Sequence, residues 1–202
     1  MKNNQTGRSM VEMLGVLAII GVLSAGGLAG YSKAMFKHKL NSTMDQITML
    51  VTNIRTMYGA QGNYYGLAED AIKLGIVPAV MGSAMGSLTN PFKGDVTIHE
   101  AMATDATTDS GSKVAGSTAF ILTYTGLPIE ACIALATSDF GSGAGSGFIG
   151  VVAANGDSAA TAKTKKVGDS TEGTAYAMNA AITACRGESN TKDVSSVSWK
   201  FY

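Results

Sequence analysis

Apolar residues follow two successive patterns in the first part of the chain, and together these patterns predict one long helix. Residues 10–31 are apolar or small throughout, apart from Glu12. Over residues 36–58, apolar residues recur every three or four positions, with polar residues between them. No proline interrupts residues 8–58, so we expect a single helix of about 50 residues, roughly 75 Å long, that ends near Gly59.

The first of these patterns is long enough to cross a bilayer, which takes about 20 apolar residues. Glu12 is the only charged residue between Arg8 and Lys33. A carboxylate in such a segment costs on the order of 2.5–3.5 kcal/mol at its centre and less near its end, so we expect Glu12 to have a partner. The second pattern predicts that one stripe of the helix lies on a globular core.

Shorter patterns beyond residue 60 predict alternating strands and helices. We expect helices at residues 66–76, 128–137 and 171–185, strands at residues 95–100, 119–125, 147–153 and 194–201, and an exposed loop at residues 103–117. A long helix followed by strands with intervening helices indicates an α+β fold. In this fold, the long N-terminal helix packs on a mainly antiparallel sheet, and further helices flank the sheet.

Composition limits the classes of function that the chain can have. Lys and Arg together number 15, as do Asp and Glu, so no basic surface for nucleic acid is predicted. Cys132 and Cys185 are the two cysteines. In an exported protein they predict one disulfide that closes a long loop and stabilises the fold by roughly 4 kcal/mol. Two unrelated buried thiols are the alternative, and no zinc site is expected because neither cysteine has a second ligand at the usual spacing.

No catalytic motif emerges from the sequence. His38 lies between two lysines on the long helix, and His99 lies in a predicted strand beside Glu100. Two such histidines do not suffice to argue for a Ser-His-Asp arrangement. We therefore expect neither an enzyme nor a cofactor.

The residues around Gly7 carry a family resemblance. Gly7 is followed directly by Arg8, and Glu12 stands five positions after the glycine, where the apolar run begins. This arrangement resembles the class III signal of type IV prepilins. The resemblance implies that a membrane prepilin peptidase cuts after Gly7 on the cytoplasmic side, usually with methylation of the new N-terminus, and that Glu12 is retained for assembly. The family usually has an apolar residue where this chain has Arg8, which is placed to pair with Glu12 on a helix.

The second half of the chain narrows the resemblance. Residues 89–94 resemble the Asn-Pro-Phe-x-Gly turn of type IVb major pilins. Residues 127–137 are similar to their first-cysteine helix, particularly that of bundle-forming pilins, and Cys185 followed by an aromatic final strand is similar to their second-cysteine region. Pilins of conjugative thin pili are similar too. The leader of type IVb prepilins is usually longer than the one implied here.

The resemblance implies a domain organisation and a cellular route. Residues 1–7 are the leader, residues 8–31 the membrane-spanning or filament-core half of the helix, residues 32–60 its amphipathic half, and residues 61–202 the globular head. The precursor lies in the inner membrane with its head in the periplasm. It then joins copies of itself, through the pilus assembly machinery, in an extracellular helical filament of which it is a structural subunit.

Four alternatives remain open at this stage. Residues 24–26 are small enough for a signal-peptidase cut, so the N-terminus could be a secretory signal. It could also be a simple membrane anchor on an unrelated periplasmic domain. Within the pilin superfamily, the chain could be a minor pilin or a pseudopilin of a secretion system. In a different class, it could be a membrane-tethered periplasmic enzyme or binding domain.

Overall fold

A computed structural model describes residues 6–84, 86–104, 116–141, 146–156, 162, 165–168, 170–187 and 193–202, with side chains from Met10 onward. The chain forms two compact units, the second of which begins at Ser42. The predicted exposed loop at residues 103–117 lies largely outside the described residues.

The single long helix is confirmed as helix α1 (Thr6–Tyr58). In the described part of the chain, it is the one helix long and apolar enough to cross a membrane. Within the second unit, the same helix buries Ile47, Leu50, Ile54 and Tyr58. The predicted amphipathic stripe is therefore the face that packs on the core of the head.

The head is built from short helices around one antiparallel sheet. Its elements in chain order are α2 (Leu67–Asp70), β1 (Val96–Ala101), β2 (Ala119–Pro128), α3 (Ile129–Ala136), β3 (Phe148–Asn155), α4 (Met178–Arg186) and β4 (Val194–Phe201). The strand order is β1-β2-β4-β3, and the three strand pairs are antiparallel. The predicted α+β fold with an antiparallel sheet is confirmed.

A row of aromatic rings joins α1 to the sheet. Tyr58 lies 5.9 Å from Tyr64 between ring centroids, and Tyr64 lies 4.9 Å from Phe120 on β2. Phe201 on β4 continues the row, 5.5 Å from both Phe120 and Phe148. Aromatic contacts at these distances stabilise a core beyond their buried area, so this row anchors the amphipathic half of α1 to the head.

The other face of the sheet is also buried, and part of it is polar. The hydroxyls of Thr123 and Ser198 are 2.8 Å apart, and Ser198 Oγ also accepts a hydrogen bond from Ala162 N. Lys200 is fully buried, and its Nζ donates to the main-chain oxygen of Lys165 at 2.7 Å. Polar side chains on this face therefore bind the segment that covers it. The alternating pattern of β4 in the sequence did not predict these contacts.

Two predicted helices are shorter than expected. The helix predicted over residues 66–76 is regular only in α2, because Gly66 and Gly75 both adopt a positive φ and the chain between α2 and Gly75 forms turns. The helix predicted to begin at residue 171 begins at Met178. Gly173, also with a positive φ, donates its N–H to Ile149 O, which draws the preceding segment onto β3.

The predicted Asn-Pro-Phe-x-Gly turn is present and is held by its asparagine. Asn90 is buried, and its Oδ1 accepts hydrogen bonds from the N–H groups of Phe92 and Gly94. Its Nδ2 donates to Thr125 O at 2.9 Å. A Cβ at Gly94 would collide with that same main-chain oxygen, so the turn requires glycine there. The turn therefore fixes the start of β1 next to β2.

Tyr124 provides a test of the core, because its hydroxyl is buried without a hydrogen-bond partner. Burial raises the pKa of Tyr124, so the hydroxyl stays protonated and desolvated. Tyr124→Phe removes this group and keeps the edge-on ring contact with Trp199 at 5.8 Å. We expect the free energy of unfolding to stay unchanged or rise by about 1 kcal/mol in urea denaturation.

The matched control is Thr123→Val, the neighbouring position on the same strand. It removes a hydroxyl that does have a buried partner, so we expect a loss of about 1–2 kcal/mol. If Tyr124→Phe destabilised the protein as much as Thr123→Val, the description of the Tyr124 hydroxyl as unsatisfied would be wrong.

Candidate assembly surfaces

The residues of the predicted processing signal lie at the beginning of α1. The main chain of Gly7 and Arg8 is helical, since α1 begins at Thr6. The side chain of Glu12 is exposed, and Glu12 takes part in an interaction within the chain. Pairing of Glu12 with another subunit would therefore replace an existing contact.

The exposed apolar side chains of residues 10–31 form what we call the stem surface. They are Met10, Val11, Met13, Leu14, Val16, Leu17, Ile19, Ile20, Val22, Leu23, Leu28 and Tyr31. An apolar surface of this length is not stable in water, because single soluble domains rarely expose contiguous apolar patches above a few hundred Å². It needs lipid or other protein as its cover.

Five glycines lie among the residues of the stem surface. In the described part of the chain, a Cβ built at Gly15, Gly21, Gly26, Gly27 or Gly30 would meet no atom within 4 Å other than those of its chain neighbours and the adjoining helix main chain. Each glycine costs a helix about 1 kcal/mol relative to alanine. Small residues of this kind allow helices from different chains to approach closely.

The predicted disulfide is confirmed between Cys132 in α3 and Cys185 in α4, with the two Cα atoms 6.0 Å apart. Both residues are fully buried. The main-chain oxygen of Cys185 also accepts hydrogen bonds from Asn155 Nδ2 at 3.0 Å and Ser195 Oγ at 2.8 Å. The disulfide and these bonds fix the end of α4 to α3, β3 and β4.

A cleft opens in the head beside α1, and we call it the Phe140 cleft. Its lining residues are Thr48, Val51, Thr52, Arg55, Asp139, Phe140 and Phe201. Its volume is about 310 Å³. Apolar side chains and two threonines form most of this lining, and it carries one positive and one negative group.

Arg55 is one of the residues that line the Phe140 cleft. Its Nη1 donates to Ser146 O at 3.2 Å, and its guanidinium carbon lies 5.6 Å from the centroid of the Phe201 ring. Nε and Nη2 are buried without a hydrogen-bond partner. Gly147, at a φ of 78°, leaves the room that this guanidinium occupies, since a Cβ there would collide with it.

Sequence reasoning missed the buried polar groups of the head. Glu100 is 2% exposed, and its two carboxylate oxygens accept hydrogen bonds from Gly66 N at 3.2 Å and Ala68 N at 3.1 Å. The sequence contained one indication of this burial. Glu100 lies two residues after Ile98 in β1, so the two side chains share one side of the strand. Burial, together with the charges of Asp70 and Glu100, raises the pKa of Tyr58.

The two histidines belong to different units of the chain. His38 lies in the first unit, and His99 lies on β1 in the second. Over the described ranges, no group of three or more His, Cys, Asp or Glu residues is placed to bind a metal ion.

The disulfide between Cys132 and Cys185 leads to a testable prediction about the stability of the head. Replacing both cysteines, as in Cys132→Ser with Cys185→Ser, should lower the free energy of unfolding by about 4 kcal/mol, since the closed loop spans 53 residues. Denaturant unfolding of the variant and of the unmodified protein measures this difference. Adding a reductant should lower the unfolding midpoint of the unmodified protein and leave that of the variant unchanged. Equal midpoints for the two proteins without reductant would contradict the prediction.

Comparisons with known proteins match the chain to one family profile and to two curated relatives. The profile of the Bundlin family matches residues 33–202. Two curated relatives, from Escherichia coli O127:H6 (strain E2348/69 / EPEC) and Escherichia coli O111:H-, are each described as the major structural subunit of bundle-forming pilus. Each is 26% identical over 198 residues, which cover 96% of this chain and 94% of the relative.

Among solved structures, the crystal structure of TcpA, a type IV pilin from Vibrio cholerae El Tor biotype, is similar with a TM-score of 0.48 and 17% identity. The match covers 82% of this chain and 99% of that one. Because the Bundlin profile spans most of the sequence, including the whole head, the chain belongs to the Bundlin family.

Proposed function

We propose that this chain is a structural subunit of an extracellular type IV pilus of the IVb kind, made from a precursor cut after Gly7. The observation that carries the proposal is the exposed stem surface of residues 10–31 on a chain of the Bundlin family. The curated relatives, described as major structural subunits of a pilus, support the same role. On this proposal, the precursor lies in the inner membrane and the assembled product lies outside the cell.

Cleavage would create a new cationic group close to Glu12. A cut between Gly7 and Arg8 produces a new amino terminus on Arg8, one helical turn before Glu12. A buried carboxylate is strongly destabilising when it is left unpaired, and a cationic amine of a neighbouring subunit would relieve that cost. The ion pair would also fix the axial position of one subunit relative to the next, because only one register brings the two charges together.

Assembly would then transfer stems from lipid into a bundle of stems. Lipid tails are as apolar as leucine, so close packing rather than the hydrophobic effect favours helix association in that setting. The five glycines of the stem surface, which no contact within the chain requires, suit such close approach. A head-to-tail contact that does not close into a ring generates an open helical filament.

The site of cleavage is tested by the N-terminus of the mature protein. We expect mass analysis of sheared filaments to find a chain that starts at Arg8, with or without a methyl group. Gly7→Val should leave a precursor longer by the leader, because a β-branched side chain hinders the close approach of a peptidase to an extended main chain.

Gly15→Val is the matched control for this change, since it introduces the same side chain into α1 away from the cut and meets no atom of the chain. It should be processed normally. A mature protein that begins near residue 26 would instead indicate a secretory signal and would refute the proposed function. Trace amounts of the chain in filaments would identify a minor pilin.

The role of Glu12 is tested by Glu12→Ala. The variant should insert into the membrane and be cleaved, but few filaments should form, since the pairing that sets the register is lost. Electron microscopy and the yield of sheared filaments measure this loss, with cleavage followed on the same samples. The control Glu130→Ala removes an exposed acid of the head and should leave filaments unchanged. Normal filament yield from Glu12→Ala would exclude the ion pair.

A further inference from the structure

Three lysines follow the stem surface directly along α1, and we call them the lysine collar: Lys33, Lys37 and Lys39. No acidic residue occurs between Glu12 and Asp45, so the collar carries a net positive charge over about two turns of the helix. The side chains of Lys33 and Lys37 are exposed, whereas Lys39 is half-buried and takes part in an interaction within the chain. Lys33 and Lys37 are therefore the two cations that a partner can reach.

The charges of these two lysines are not neutralised by their own chain. Among the described residues, none forms an ion pair or a hydrogen bond with the ammonium group of Lys33 or Lys37. The two stand four positions apart on the same face of α1, where like charges repel one another. An anionic group that lies between the two ammonium groups would remove this repulsion.

The position of the collar along α1 matches the headgroup layer of a bilayer. Residues 10–31 make about 33 Å of helix, and the hydrocarbon core of a bilayer is about 30 Å thick. Lys33 and Lys37 follow Tyr31 by about 3 Å and 9 Å along the helix axis, and the polar layer on one side of a bilayer is about 5–8 Å thick. Helix side chains lean towards the N-terminus, so both lysines reach back into this layer.

Tyr31 marks the boundary between the apolar run and the collar. Its side chain is 64% exposed. Tyrosine is enriched where lipid meets water, because its ring is apolar and its hydroxyl is polar. Lysine likewise lays its methylene chain along apolar surface and keeps its ammonium group in the polar layer. An apolar run, an aromatic residue and then lysines thus follow the order of hydrocarbon core, interface and headgroups.

The spread of the collar around the helix favours lipid over a single protein surface. At 3.6 residues per turn, the three lysines span about 160° of the circumference of α1. A helix that packs on one partner presents a stripe of about 100° to it. A layer of headgroups surrounds a helix on all sides, so it can meet all of these charges at once.

We propose that the lysine collar binds the headgroups of anionic phospholipids in the periplasmic leaflet of the inner membrane. The proposal rests on the membrane stage of the proposed function and names the partner of that stage. Each lysine near an anionic bilayer surface strengthens the attraction about fivefold, over a range of about 10 Å at 0.1 M salt. The bound lipids hold α1 at a fixed depth until the stem is transferred to the filament.

The test measures the lipid selectivity of the full chain in vesicles. The protein is reconstituted in phosphatidylcholine vesicles with a trace of spin-labelled phosphatidylglycerol or, in a parallel sample, spin-labelled phosphatidylcholine. The fraction of label immobilised at the protein surface gives the relative association constant of the two lipids. We expect a preference of about threefold for phosphatidylglycerol, because the collar acts only on the lipids beside it. In 1 M salt, where the Debye length is about 3 Å, the preference should disappear.

Two pairs of substitutions in the collar separate charge from packing. Lys33→Gln with Lys37→Gln should lower the preference about twofold and leave the total amount of immobilised lipid unchanged. Lys33→Arg with Lys37→Arg keeps both charges and should keep the preference. The matched control is Lys93→Gln with Lys166→Gln, which removes two exposed lysines of the head and should also keep it. Arg8 is present in each of these proteins, so their differences report the collar alone.

Each outcome distinguishes the lipid contact from the proposed function. An equal preference in the glutamine variant of the collar and in the unmodified chain would overturn the lipid contact and leave the proposed function intact. If that variant also formed no filaments, the collar would serve a contact with a second copy of the chain instead. If the unmodified chain immobilised neither labelled lipid, it would not enter a bilayer, and the membrane stage of the proposed function would fail together with the lipid contact.

Discussion

One continuous helix with an uncovered apolar first half is the constraint on which the rest of the structure depends. Leu14, Leu17 and Leu23 are each more than 60% exposed, and covering one such side chain is worth about 1.5–3 kcal/mol relative to leaving it in water. In the structure as described, the large apolar side chains of residues 10–31 are exposed. The protein is therefore complete only when something apolar surrounds this part of α1, first lipid and then, on the proposed function, sister helices.

The head must remain folded without help from that apolar surface, and its construction is consistent with this need. Aromatic rings join the second part of α1 to one face of the sheet, while Thr123, Ser198 and Lys200 bind the covering segment on the other. The disulfide between Cys132 and Cys185 links α3 to α4. A sheet that is buried on both faces buries more apolar area than a half-exposed one, which suits a domain of few charges.

The parts of the fold that sequence reasoning predicted correctly are those encoded by local periodicity. The three-and-four spacing of α1 and the alternation around Trp199 need only neighbouring residues to be recognised. The start of α4 at Met178 was missed because Gly173 bonds to a strand more than 20 residues away. The burial of Glu100 and Lys200 was missed for the same reason, since each is satisfied by main-chain groups that only the fold brings near.

The candidate site likewise has a part that local sequence predicts and a part that depends on the fold. Gly7, Arg8 and Glu12 could be proposed from the sequence because a prepilin-type signal is short and contiguous, and their roles stay predictions. The cysteine pair was predicted because exported thiols have few other fates, and the structure contains that disulfide. The Phe140 cleft draws its lining from α1, from the loop after α3 and from the last strand, so no local pattern announces it.

The energetics of assembly differ between the stems and the heads. A stem that leaves lipid for a bundle exchanges one apolar environment for another, so it gains packing but little from the hydrophobic effect. The heads, in contrast, are in water before and after assembly. Any apolar surface that the heads bury against one another is removed from water and so gains the hydrophobic term that the stems lack. On the proposed function, the ion pair of Glu12 would set the register and the stems would supply close packing.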